Sequence, residues 1–249
     1  MGEPESLPES AIFSGGAPPR PKAPSLWQQI EGVFTDPVNL FRQLHETPVW
    51  GGAMVLMVVV FFLMSLVWGL KVDVDAMLRP ILEQNPQLSS NQIEQAISLQ
   101  SKLLVPLSLV AVVVGTPLAL ALGALVRWLI GMATAEAEKP SYLQALSATT
   151  IGGLVTLPYA VLVGLMCLLR QVGGMTPEKL SPTSLGFYIQ PENPKLYALC
   201  SQVDLFLLAG FVMVYLSTRH TMRLKPVGAI LCTALAILFA CGFKVLFAK

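Results

Sequence analysis

Residues 49–70 form a run of 22 positions without an Asp, Glu, Lys or Arg. As a helix rising about 1.5 Å per residue, the run measures about 33 Å, enough to cross a hydrocarbon core of about 30 Å. Trp50 and Trp68 stand near its two ends, where an indole ring with one polar N–H favours the boundary between membrane and water. A segment this long and uncharged excludes most soluble architectures.

Four further runs can be read on the same scale. Residues 103–126 stop at Arg127 and enclose Pro106 and Pro117, and residues 147–169 stop at Arg170 and enclose Pro158. Residues 196–217 contain Asp204, and residues 226–247 contain Lys244. Each is long enough to span despite a single charge. A proline inside a spanning helix is tolerated where neighbouring helices or hydroxyls satisfy the carbonyls it frees, so Pro117 and Pro158 are expected kinks. Thr116, Thr149, Thr150 and Thr156 are near enough to serve. The expected fold is an all-α membrane protein of five transmembrane helices, with short interfacial helices in the N-terminal segment and outer loops.

Outside the spans, residues 1–26 are rich in Pro, Gly, Ser and Glu and are expected to be a disordered tail that stays on the mature protein. Residues 27–48 read as an amphipathic interfacial segment broken at Asp36-Pro37, where Asp36 suits a cap and Pro37 a first helical position. The five-helix domain then fills residues 49–249. In the loop before the second span, Ser89, Ser90 and Asn91 precede Gln92 and Glu94, a start signal for a short helix. Gly173-Gly174 and Thr176-Pro177 point to a folded loop before the fourth span.

Charge removes whole classes of function. Only 12% of residues are charged and the net charge is +1, against about 25% charged in soluble domains. Lys and Arg occur singly, without the basic stripe that nucleic acid requires, so no nucleic-acid partner is expected. Cys167, Cys200, Cys232 and Cys241 are isolated in or beside apolar runs and read as small buried hydrophobes. His45 and His220 fall outside the spans, and neither H-E-x-x-H nor G-x-S-x-G occurs. No catalytic, metal-binding or cofactor-binding residue is therefore expected.

Asp204 is the residue that most needs an explanation, because a carboxylate inside a span costs a few kcal/mol unless it is paired, protonated or facing water. It lies early in the fourth span and Lys244 late in the fifth. Antiparallel neighbours bring both toward the same membrane face, as a candidate intramembrane polar pair, direct or bridged by water. Arg127 and Arg170 read as interface anchors.

Four stretches carry a resemblance. They are Phe34-Thr35-Asp36-Pro37 with Phe41 and Pro48; Leu88-Ser89-Ser90-Asn91-Gln92-Ile93-Glu94-Gln95; Tyr142-Leu143-Gln144 ahead of Pro158; and Ser201-Gln202-Val203-Asp204-Leu205-Phe206. In this order, over roughly residues 34–247, the chain resembles the Yip domain family of Ypt/Rab-interacting membrane proteins, in a bacterial form. The resemblance implies five spans, a cytoplasmic N-terminus and no enzymatic activity. Eukaryotic relatives bind Rab GTPases in Golgi and endoplasmic reticulum membranes, a partner that nothing in this sequence warrants transferring.

Lys and Arg divide evenly between the two sides, but Arg219, Arg223 and Lys225 crowd one short loop, which favours the inside for that loop and for the N-terminus. The expected role is that of a non-enzymatic protein acting through a protein partner or through membrane organisation. The alternative is a small transporter or lipid translocator using Asp204. The expected partners are the lipid bilayer and a protein not identified by the sequence, which also leaves the oligomeric state open. The expected site is a bacterial inner membrane, with a Golgi or endoplasmic reticulum membrane as the alternative.

Overall fold

The computed structural model describes residues 22–189, 191 and 193–247. Residues 1–21, where most of the expected tail falls, lie outside the described residues. Among the described residues the secondary structure is helical, apart from three isolated β-bridges. Four helices are long and apolar enough to cross a membrane and a fifth, shorter one is apolar. The chain is thus an all-helical membrane protein of about five spans.

Two short helices come first, α1 (Leu26–Thr35) and α2 (Pro37–Glu46). Ser25 and Gln28 cap α1 reciprocally, and Asp36 ends α1 while accepting from the Asn39 amide to start α2, with Pro37 at the first helical position. The pair does more than lie on a membrane surface. Val33, Leu40, Phe41 and Leu44 are buried against Ala53, Ile151 and Met213 of the bundle. Polar bonds lock the contact: His45 Nδ1 lies 2.8 Å from the Thr221 carbonyl, and Gln144 donates to the His45 carbonyl at 2.8 Å.

The first span is α3 (Gly51–Lys71), followed by α4 (Val74–Leu82). The next helix corrects the sequence reading. A short loop helix and a second span ending at Arg127 were expected, whereas α5 runs unbroken from Ser90 to Thr134, through Pro106 and Pro117. The Ser89–Gln92 capping box starts it, and nothing beyond stops it, since a charged side chain such as Lys102 or Arg127 does not break a helix. Its 45 residues measure about 68 Å, so its first turns project beyond the bilayer. There Arg79 of α4 bridges Asp75 and Glu94.

The third span has two halves, α6 (Tyr142–Gly153) and α7 (Leu157–Leu169), joined by a 3₁₀ turn at Leu154–Thr156 just before Pro158. The loop after it crosses α4 closely. Gly173 adopts a positive φ of 51°, and a Cβ on Gly174 would stand 2.7 Å from the backbone of Ala76 and Met77. Only glycine meets both demands without strain.

The fourth span is the second correction. Instead of one helix over 196–217, the chain forms α8 (Leu185–Tyr188), α9 (Pro194–Gln202) and then α10 (Leu205–His220), with a break at Val203-Asp204. The apolar α10 has 16 residues, about 24 Å. The last span, α11 (Pro226–Phe247), packs along α9 and α10.

Candidate functional site

Asp204 occupies the break. It is 3% exposed, and both carboxylate oxygens are engaged. Oδ1 accepts from the amides of Phe206 at 2.9 Å and Leu207 at 3.3 Å, closing the N-terminus of α10. Oδ2 accepts from the hydroxyls of Ser181 at 2.8 Å and Thr183 at 2.6 Å. Backbone bonds parallel them, from Leu185 N–H to the Val203 carbonyl and from Leu205 N–H to the Thr183 carbonyl. One side chain therefore starts a helix and fastens the loop 181–185. Hydrogen bonds to a charged acceptor contribute about 1.5–3 kcal/mol each, enough for four to offset the cost of a carboxylate at this depth.

No direct Asp204–Lys244 ion pair is formed among the described residues. Lys244 Nζ lies 3.3 Å from Glu178 Oε1, because the 3₁₀ turn Pro177–Leu180 carries Glu178 to the end of α11. Asp204, with its acceptors satisfied, does not need the cation. Burial disfavours the Glu178 charge, but Lys244, the backbone amide and the Thr176 hydroxyl outweigh it and hold the carboxyl below its ordinary value.

Asp204, Glu178 and Lys244 nevertheless line one cavity of about 250 Å³, with Tyr159, Thr156 and Gln202. The Gln202 Nε2 is buried without a hydrogen-bond partner among the described residues. A second cavity of about 390 Å³ lies between α5, α6, α10 and α11, and Thr156 and Leu207 line both. Pro158, at the second position of α7, lies two residues after Thr156 and so sets the turn where the cavities adjoin. Pro117, next to Thr116 in the wall of the second cavity, interrupts no helix. Ser181, Thr183 and Glu178 were not among the site residues expected from the sequence. The hydroxyl-rich run Ser181-Pro182-Thr183-Ser184 was the one visible signal that a buried acceptor lay nearby.

Further polar joints fall in a sequence stretch already singled out. Tyr142 donates to the Ala121 carbonyl at 3.1 Å, and Gln144 serves both the Ser141 cap and His45. No group of three or more His, Cys, Asp or Glu side chains that could hold a metal occurs among the described residues.

The sequence model of the Yip1 domain fits residues 32–247, nearly the whole chain. No curated protein and no solved structure matches.

Proposed function

The chain belongs to the Yip1 domain family, and on that premise we propose that it is a non-enzymatic membrane protein acting through a protein partner or by organising the surrounding membrane. The observation that carries this reading is Asp204. A transport carboxylate has to exchange partners with water or cargo, whereas all four bonds of this one hold the fold. The clamped pair α1–α2 supports a binding role, since Trp27 is 72% exposed on a firmly held platform. Arg219 lies in the last turn of α10 and Arg223 and Lys225 follow it at the same end, where Thr221 donates to the Phe41 carbonyl. That supports a cytoplasmic α1–α2 in a bacterial inner membrane.

The runner-up, a small transporter or lipid translocator, draws support from the two cavities that adjoin at Thr156 and Leu207. Reconstitution into liposomes that report proton flux, cation flux and lipid scrambling separates the two. Wild type and Asp204→Asn should both match protein-free liposomes. Flux or scrambling that needs Asp204 would establish the translocator instead.

A further inference from the structure

Arg127 stands inside the second cavity, away from every acidic side chain with which it could pair among the described residues. Its position is not that of a side chain reaching out to the surface. Ala124 and Gly131, three residues before and four after, are buried against the bundle, while Leu125, Val126 and Leu129 face outward. Arg127 therefore lies on the packed face of α5. One guanidinium N–H donates to the Thr149 hydroxyl of α6 at 3.1 Å. A guanidinium carries five N–H donors in a planar fork, so this contact leaves a strong demand for an acceptor.

Depth and lining define that acceptor. Arg127 is seven residues before the end of α5 at Thr134, and Thr149 seven residues after the start of α6 at Tyr142, so both lie about 10 Å within the bundle from the α1–α2 end. The adjoining Trp128, packed with Trp50 and Tyr142, marks the level of the membrane interface, where lipid phosphates reside. The cavity wall is made of small or apolar residues, including Gly123, Gly152 and Ala119, while the Thr149 hydroxyl that accepts from Arg127 donates its own proton to the Ala145 carbonyl at 2.7 Å. A fork of donors facing an apolar wall matches a phosphodiester attached to hydrocarbon. At about 390 Å³ the space admits a headgroup and falls in the usual range for small-ligand sites, about 300–1,000 Å³.

We propose that Arg127, oriented by its bond to Thr149, forms a phosphate-binding site within the bundle, filled by the headgroup of an anionic phospholipid. The site is separate from Asp204, and its test does not depend on the role proposed above. The full-length protein in detergent is titrated with phosphatidylglycerol and, in a second arm, with inorganic phosphate, bound ligand being read by native mass spectrometry and thermal shift. Wild type should bind phosphatidylglycerol, Arg127→Gln at least about tenfold more weakly, and Arg127→Lys between the two, because an ammonium cannot replace the fork. Gly123→Leu fills the cavity while leaving Arg127 in place, and a Cβ there meets only Thr149 Cγ2 at 3.6 Å. It should also lose binding, whereas Arg170→Gln at the opposite end should not. Should Arg127→Gln not fold, Arg127→Lys and Gly123→Leu carry the test. Binding of inorganic phosphate but not lipid, lost in the same variants, keeps the site and assigns it to free phosphate. Wild-type binding of neither ligand, or undiminished binding in Arg127→Gln or Gly123→Leu, overturns the proposal.

Discussion

Glu178 stays charged beside a bundle end because Lys244 reaches it from α11, and this exchange of partners reshapes the sequence reading residue by residue. Asp204 was legible as a costly group from its apolar neighbours alone. Its partners were not, since Ser181 and Thr183 come from a loop whose path depends on tertiary packing. Both members of the Glu178–Lys244 pair are about 40% exposed, which limits its contribution to below about 1 kcal/mol. The Glu178 carboxyl is held below its ordinary value of 4.5. The stabilisation is therefore complete above the unfolded value and lost as pH falls through the lower folded one. Glu178→Gln should melt slightly below wild type at pH 7, and the difference should shrink progressively as pH falls below 4.5. A gap that persists in acid would mean that charge is not its source.

Among the elements, those bounded by local chemistry were readable and those bounded by distant contacts were not. The starts of α2 and α5 follow from Asp36-Pro37 and from Ser89 with Gln92, both interactions within one turn. The end of α5 was misplaced because Arg127 looks like a boundary residue in sequence, although in three dimensions it faces the bundle. The break before α10 was missed for another reason: Asp204 caps α10 locally through the Phe206 and Leu207 amides, but its apolar flanks read as one continuous span. Gly174, in turn, depends on a distant contact, its need for glycine arising from α4, about a hundred residues earlier in the chain. Gly174→Ala would force a methyl to 2.7 Å from the Ala76 and Met77 backbone, costing about 1–3 kcal/mol. Hydrogen exchange should report the loss first in α4 and in residues 172–176. Unchanged protection there would count against the close crossing. Gln144→Ala should likewise speed exchange in α1 and α2 by removing the donor to the His45 carbonyl, while leaving α11 unaffected.

For the molecule as a whole, five apolar segments and their order were legible because lipid imposes length and charge limits that any sequence must meet. How the segments are fastened was not, because this bundle relies on a few polar joints, at His45, Gln144, Thr221 and above all Asp204. If the Asp204 carboxylate serves the fold, its two oxygens should be separable by substitution. Asn keeps an acceptor for the α10 amides but cannot accept from Ser181 and Thr183, and Ala removes both functions. The most direct test is the melting temperature of wild type, Asp204→Asn and Asp204→Ala in one detergent. The expected order is wild type, then Asn, then Ala, with Ala about 2–4 kcal/mol, or roughly 5–12 °C, below wild type. An Ala variant that melts with wild type would show that Asp204 does not hold the fold, and would contradict the account at its centre.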